Sequence, residues 1–324
     1  MNEYELLYRM RYHSYVDFAF RECYPDEYFY DNWHIELISE LLQFMVLSDE
    51  EDKLTRAVFN LPPEHFKTHL CSIFLATWFL GRDPRKSVLI LSENPGAAYE
   101  LQERCADLMS RPRYRSLFPR AKIKSRGKKV EFVYGGCIQH TGIRYSNIRQ
   151  KNDLVIIDNP QSLQTLDRLD PHTLVELPRL LKDPKRGLIV MNTRRLGATD
   201  MSYHLSNIPG WTNFTFPTIA PDNRQLLFPP HFYYDLDKGE PIEPVRRDWS
   251  EIEASLVELG WEHFLYQHMQ GCYKLDLSNR SYRKMGEKDG FQWMQIGQLD
   301  ETQIALREFK HLREQYFGKE AETT

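Results

Sequence analysis

The sequence predicts an α/β fold: a mostly parallel, doubly wound sheet with helices on both faces, plus a short helical C-terminal extension. Three observations predict it. The runs 87–92 (Ser-Val-Leu-Ile-Leu-Ser), 153–158 (Asp-Leu-Val-Ile-Ile-Asp) and 187–192 (Gly-Leu-Ile-Val-Met-Asn) are nearly continuous in apolar residues, as strands buried on both faces require. Helical patterns alternate with such runs between 56 and about 217. The apolar run 56–61 leads through Pro62-Pro63 to Lys67-Thr68, which opens a helix. In a sheet of this kind ligands bind at the carboxyl ends of the strands.

Residues 1–50 are helical in pattern, with Ile35, Leu37, Ile38, Leu41, Leu42 and Met45 recurring at helical spacing. Strands are expected at 56–61, 87–92, 130–135, 153–158, 187–192 and 212–217, and helices at 67–80, 95–110, 172–182 and 200–206. The stretch 221–248, rich in proline and polar residues, reads as a linker. Helical segments follow at 249–259, 261–270 and 300–316, the last amphipathic through Ile304, Leu306, Phe309 and Leu312. The expected organisation is an N-terminal helical segment (1–50), a core (51–220), the linker (221–248) and a helical C-terminal segment (249–324).

Composition narrows the class. With 324 residues, 41% hydrophobic and 27% charged, the chain can bury a sizeable core. A net charge of −4 excludes a globally basic nucleic-acid binder and leaves room for local patches. Five scattered cysteines without a Cys-x-x-Cys pair argue against a zinc ribbon or a disulfide framework and fit a reduced, cytoplasmic compartment. The acidic N-terminus lacks a signal-peptide layout. No apolar run approaches the ~18 residues that cross a bilayer, so no membrane partner is expected.

The segment from Arg56 to Thr68 carries the chemistry. A strict G-x-x-x-x-G-K-[ST] pattern needs glycine where this chain has Leu61 and Phe66. Alone, the segment reads equally as a β–α turn with a surface lysine. The strand before it, the helix after it and the second strand ending in Asp158 turn the reading toward a P-loop NTPase of the ASCE/RecA-like kind. Lys67 then reaches the β- and γ-phosphates of ATP. Thr68 and Asp158 ligate Mg2+, and Pro63, Glu64, His65 and Phe66 shape the loop. His65 and His69 share a helix face but lack the glutamate of a His-Glu-x-x-His zinc site, because Phe66 stands there.

These residues resemble the large terminase subunit of tailed bacteriophages, the ATPase that pumps DNA into the capsid. Asn60 through Thr68 is similar to that family's divergent Walker A loop of Pro-Pro-x-His-x-Lys-Ser type. Ala76 to Pro84, Met109 to Pro119, Thr141-Gly142-Ile143-Arg144, Asn192-Thr193-Arg194, Asp200, Gly210-Trp211 through Pro217, and Leu259 to Gln267 continue the resemblance, which spans about residues 30–272. It implies an ATPase coupled to translocation of double-stranded DNA. The implied partners are a portal protein, a small terminase subunit and further copies of the chain in a ring. The implied place is the viral procapsid in the cytoplasm of an infected bacterial cell.

Two departures stand out. The family's second acid after the Walker B Asp is Asn159 here, and an amide positions water without taking its proton. Glu93, after the second strand, is an alternative acid; it is equally an ordinary surface or capping residue. The family's C-terminal nuclease has no counterpart in the residues after the match, so nuclease activity is not expected of this chain and a separately encoded nuclease is one way to supply it. A nuclease-less, hydrolysis-poor ATP-binding assembly or regulatory subunit is the alternative function.

Other candidates come from the same two sources. The resemblance makes the N-terminal segment 1–50 the adenine side and puts Trp33 near the base, against the plain reading of a half-buried helix residue. Asn192 and Thr193 are expected to sense the γ-phosphate. Arg56, Arg144, Arg149, Arg194 and Arg195 compete for the role of an arginine finger, with Arg144 carried as the catalytic candidate beside Lys67, Asp158 and Asn159. Residues 111–129 hold nine Lys or Arg with Tyr114 and Phe118 interleaved, either a track for DNA phosphates or a solvated charged loop.

Overall fold

The computed structural model describes residues 3–49, 53–145, 151–168, 171–220, 223–228, 232–245, 247, 249–271, 273–276 and 281–284. The N-terminal helices are α1 (Glu3–Met10), α2 (Tyr12–Cys23) and α3 (Trp33–Leu47). Then come β1 (Arg56–Asn60), a π-helical turn (His69–Phe74) running into α4 (Leu75–Arg82), β2 (Ser87–Ser92), α5 (Pro95–Ser110) and α6 (Pro112–Leu117). Next are β3 (Ile123–Ser125), β4 (Lys129–Phe132), β5 (Cys137–Gly142), β6 (Leu154–Asp158), α7 (Pro171–Glu176), β7 (Leu188–Thr193), α8 (Met201–Ser206) and β8 (Thr212–Thr215). The hairpin β9 (Arg224–Phe228) and β10 (Phe232–Leu236), α9 (Trp249–Gln267) and the hairpin β11 (Tyr273–Asp276) and β12 (Ser281–Lys284) complete the chain order.

One sheet organises the molecule, in the order β3-β4-β5-β2-β6-β7-β1-β8. From β5 to β8 every pairing is parallel, and β3 and β4 add an antiparallel edge. The apolar runs are continuous because both faces are covered. Ala57 and Phe59, Val88 and Ile90, Leu154 and Ile156, and Leu188 and Val190 enter one core with α2, α3, α4 and α5. Their alternates Val58, Leu89, Leu91, Val155, Ile157, Ile189 and Met191 enter a second core with Leu174 of α7 and Met201 and Leu205 of α8. This is the doubly wound α/β architecture of P-loop NTPases. Among the described residues no helix is long and apolar enough to cross a membrane.

Several elements differ from expectation. Strand β5 was not expected: Gln139, His140 and Thr141 interrupt its apolar pattern, because these residues are only half-buried. The expected strand 130–135 ends at Phe132. The chain then turns through Gly135, whose φ of 95° suits glycine, and Gly136, where a Cβ would lie 2.2 Å from the Lys86 carbonyl oxygen. The helix expected over 172–182 stops at Glu176 and tightens to a 3-10 turn at Leu177–Leu180 around Pro178, which has no N–H to donate. The stretch expected as a linker holds the hairpin β9–β10, and its Tyr234 stacks on Trp33 of α3. The two helical segments after 249 form one run broken at Gly260 (φ 73°, ψ 162°). The helix expected at 300–316 lies outside the described residues.

Candidate nucleotide site

Strands β1, β7 and β6 run parallel as neighbours, so Asn60, Thr193 and Asp158 finish at one edge, with Asn60 level with Thr193 and Asp158 level with Asn192. The loop leaving β1 is tied to that edge by the Leu61 N–H, which donates to the Thr193 carbonyl at 2.9 Å. It then does what glycines ordinarily permit. Glu64 (φ 64°) and Phe66 (φ 61°) both adopt the left-handed region, at a cost of roughly 1–2 kcal/mol for a residue with a Cβ. Position 66 is one of the two places where the strict motif demands glycine; Leu61 is not left-handed, and Glu64 takes the second turn instead. Among the described residues only two other non-glycine residues have positive φ, Asn159 and Gln270. Asn159 follows β6, and Gln270 accepts the Arg195 N–H just after β7 at 3.0 Å. Backbone strain is thus concentrated at one strand edge, a pattern of functional sites. A loop of this conformation, feeding a helix, turns N–H groups toward an anion.

Lys67 is 8% exposed, and its Nζ donates to the Pro62 carbonyl at 3.0 Å. Burial pushes its pKa down to about 8; Asp158 opposes that fall and the positive Arg194 adds to it. Asp158 is the hub of the site. Its Oδ1 accepts from Thr68 Oγ1 (3.2 Å) and from its neighbour Asn159 Nδ2 (2.8 Å), and its Oδ2 accepts from Ser72 Oγ (2.7 Å). Ser72 in turn accepts from Asn192 Nδ2 at 2.7 Å. The other amide atom, Asn192 Oδ1, is buried and accepts no hydrogen bond among the described residues. Ser72 lies in the π-helical turn, a local widening frequent at functional sites.

The hydroxyl of Thr68 and the carboxylate of Asp158 are hard oxygen donors side by side. Such a pair suits Mg2+, which keeps waters and takes phosphate oxygens instead of a full protein cage. Among the described residues no cluster of three or more His, Cys, Asp and Glu forms such a cage.

The remaining candidates separate. Glu93 leaves β2 beside Asn159, because Ser92 is level with Asp158. Its Oε1 accepts from Ser162 Oγ (2.6 Å) and Thr165 Oγ1 (2.9 Å). His65 is buried, with Nδ1 2.7 Å from the Pro63 carbonyl, and holds the loop from inside. Trp33 stacks on Tyr234 (centroids 5.3 Å, 17°) and packs against Phe216. Arg144 is exposed on a 3-10 turn after β5, and Arg149 lies outside the described residues. Two arginines drop out of the finger role. Arg56 sits at the amino end of β1, opposite the loop, and donates to the Pro184 carbonyl. Arg195 is 9% exposed and spent on Asp200 (2.8 Å), the cap of α8. Arg194 remains, close enough for its charge to act on Lys67.

Sequence reasoning missed Ser72, Gln270 and the closure from the C-terminal side. There Arg247 pairs with Glu64 of the loop, and the Thr218 N–H donates to the His268 carbonyl at 2.8 Å. Burial, then the charges of Arg247, His65, Lys67 and Arg194, lower the His268 pKa to about 3. No signal in the sequence marks these residues beyond the Gln267 end of the family-like segment. The basic run 111–129 forms α6 and the β3–β4 edge, far across the sheet from β1. There Arg113 pairs with Glu22, Arg126 with Asp107 and Lys129 with Glu131, while Lys122, Lys124 and Lys128 are exposed.

Strand order, strained loop and strand-end acid together define a P-loop NTPase fold. Among solved structures, the chain is similar to the large terminase of bacteriophage HK97, at 12% identity over 64% of this chain and 44% of that one, with a TM-score of 0.47. It is similar to the ATPase domain of the large terminase of Thermus phage P74-26, at 13% identity over 71% and 94%, with a TM-score of 0.42. A third is the large terminase of another thermophilic bacteriophage, solved in complex with ADP, at 7% identity over 71% and 52%, with a TM-score of 0.44. The chain thus spans less than half the length of the HK97 protein. No family model and no curated protein matches the sequence.

Proposed function

We propose that this chain is a P-loop ATPase that binds ATP with Mg2+ at Lys67, Thr68 and Asp158. The observation that carries the reading is the convergence of those three residues on the strand edge where Glu64, Phe66, Asn159 and Gln270 are all left-handed. Lys67 and the N–H groups of the strained loop hold the phosphates. Thr68 and Asp158 hold Mg2+, which neutralises charge on the β- and γ-phosphates. Asn192, with its unpaired buried Oδ1, and Thr193 report on the γ-phosphate. Arg194 is our finger candidate; Arg144, just after β5, is the alternative, in cis or from a neighbouring subunit. Glu93, leaving β2 beside Asn159, is our candidate to take the proton of the attacking water.

The finer reading is a DNA-packaging motor subunit of terminase large-subunit type, which moves double-stranded viral DNA into a procapsid. It is supported by the family-like motifs from Asn60 to Gln267 and by the basic sheet edge at Lys122, Lys124 and Lys128. Its partners are then a portal protein, a small terminase subunit and copies of itself in a ring, in the cytoplasm of the infected bacterium. A second reading, a hydrolysis-poor ATP-binding assembly subunit, is favoured by one observation: Asn159 donates to Asp158 where an acid would orient water. The test is ATP turnover with and without double-stranded DNA and portal, beside Lys67→Ala and Asn159→Glu. DNA- or portal-stimulated turnover lost in Lys67→Ala supports the motor. Tight binding without turnover, even in Asn159→Glu, supports the assembly subunit and overturns the motor.

A further inference from the structure

The acid at the end of β2 is held by the segment that leaves β6. Glu93 stands between the last residue of β2 and Asn94, whose Oδ1 accepts the Ala97 N–H at 3.0 Å and caps α5. A strand end and a helix cap thus fix its backbone. Its side chain is fixed from across the β2–β6 pair. Ser162 Oγ donates to Glu93 Oε1 at 2.6 Å, and Thr165 Oγ1 donates to the same atom at 2.9 Å. Each hydroxyl has one proton, and Glu93 is the nearest acceptor of each. The alternatives, Thr165 Oγ1 for Ser162 and the Ser162 carbonyl for Thr165, both lie at 3.3 Å. Glu93 is half-buried, and its Oε2 accepts no hydrogen bond among the described residues, so that oxygen stays open to water.

The segment that supplies these hydroxyls is itself anchored. The Asn159 N–H donates to the Asn192 carbonyl of β7 at 2.9 Å. Buried Gln161 accepts the Met201 N–H, at the start of α8, at 2.8 Å. Leu166 lies against Gly197, where a Cβ would meet its Cδ2 at 3.2 Å. Around the 3-10 turn Leu163–Arg168, the Ser162 N–H donates to Thr165 Oγ1 at 2.9 Å, which fixes the oxygen whose proton points at Glu93. The segment is thus tied to β7 and α8 on one side and to Glu93 on the other. Two donors on one oxygen restrict a flexible carboxylate to one placement.

We propose that Ser162 and Thr165 are positioning residues for ATP hydrolysis, holding Glu93 by Oε1 so that Oε2 takes the proton of the attacking water. The assignment rests on the ATPase reading above, with Glu93 as its acid. In that step the water oxygen bonds to the γ-phosphorus. The bond from that phosphorus to the β–γ bridging oxygen breaks, and its electron pair leaves with ADP. The water proton passes to Glu93 and from there to phosphate or solvent. The segment that carries Asn159 in place of an acid thereby supplies, three and six residues on, the hydroxyls that aim an acid from the neighbouring strand.

The experiment is steady-state hydrolysis of ATP with Mg2+ by the full chain, with ATP affinity measured in parallel. The double variant Ser162→Ala/Thr165→Ala and the conservative variants Ser162→Thr and Thr165→Ser are each made in wild type and in Glu93→Gln. In wild type the double variant is expected to lower kcat at least about tenfold and to leave KM and ATP affinity unchanged, while the conservative variants retain kcat. In Glu93→Gln it should change nothing further, because the hydroxyls have no acid left to aim. An equal fall of kcat in both backgrounds, no fall in wild type, or conservative variants as slow as the double variant overturns the positioning role while Glu93 stands. Full turnover in Glu93→Gln, or a wild-type chain that binds ATP without turning it over, overturns Glu93 and the positioning role together while the phosphate site stands. A wild-type chain that binds no ATP overturns the ATPase reading itself.

Discussion

Replacing Lys67 by methionine tests the electrostatics of the site before any nucleotide is added. The ammonium is held at 8% exposure, and burial lowers its pKa from 10.5 to about 8. That fall corresponds to about 3 kcal/mol of stability withheld from the folded protein near neutral pH. Methionine has similar length and no charge, so it relieves this term. It also forfeits the hydrogen bond to Pro62, worth ~1 kcal/mol; the attraction to Asp158 is already contained in the lowered pKa. The net gain is then ~2 kcal/mol, which raises the melting temperature of the free protein by roughly 3 °C. The sign with pH follows from a folded pKa below the unfolded one. The penalty is fully present below about pH 8 and disappears as pH rises toward the unfolded value. Thermal melts of both proteins from about pH 6 to 10 should therefore show a constant advantage for Lys67→Met up to about 8, closing above it, while nucleotide binding is lost. A variant that melts below wild type near pH 7 would refute the reasoning, since Asp158 would then outweigh burial.

Other perturbations follow from the same contacts. Ser72→Ala removes a donor from buried Asp158 and the acceptor of Asn192; it should cost ~1–3 kcal/mol in chemical denaturation and raise the Mg2+ concentration needed for nucleotide binding. Affinity for the triphosphate should hold up to about pH 8 and then fall, approaching tenfold per pH unit, as free Lys67 deprotonates. Calorimetry above that pH, in buffers of different ionisation enthalpy, should record proton uptake on binding. Glu93→Gln should leave ATP binding intact and lower turnover at least ~100-fold; unchanged turnover would exclude Glu93 as the acid. Gly136→Ala drives a Cβ to 2.2 Å from the Lys86 carbonyl and should destabilise by at least ~2 kcal/mol.

The buried centre of the sheet was legible because burial on both faces writes itself as continuous apolar residues, as in β2, β6 and β7. Strand β5 was not, since its Gln139, His140 and Thr141 need only half burial. The β9–β10 hairpin was hidden by prolines that suggest a linker; what orders it includes a tertiary contact, Tyr234 on Trp33. At the site, residue types revealed Lys67, Thr68 and Asp158, which the structure brings together. The left-handed turns of Glu64 and Phe66 were illegible, because neither residue type signals positive φ. Ser72 reaches Asp158 through a π-helical turn that no periodicity announces. Arg56 and Arg195 looked available until strand direction and the partner Asp200 were known.

The central claim is that the loop from Pro62 to Thr68, without a glycine, binds a nucleoside triphosphate. Isothermal titration of ATP with Mg2+ into the full chain and into Lys67→Ala tests it most directly. The account predicts saturable binding of one ATP per chain, lost in Lys67→Ala and weakened by removing Mg2+. Absence of binding to the wild-type chain, or equal binding to both proteins, would contradict it.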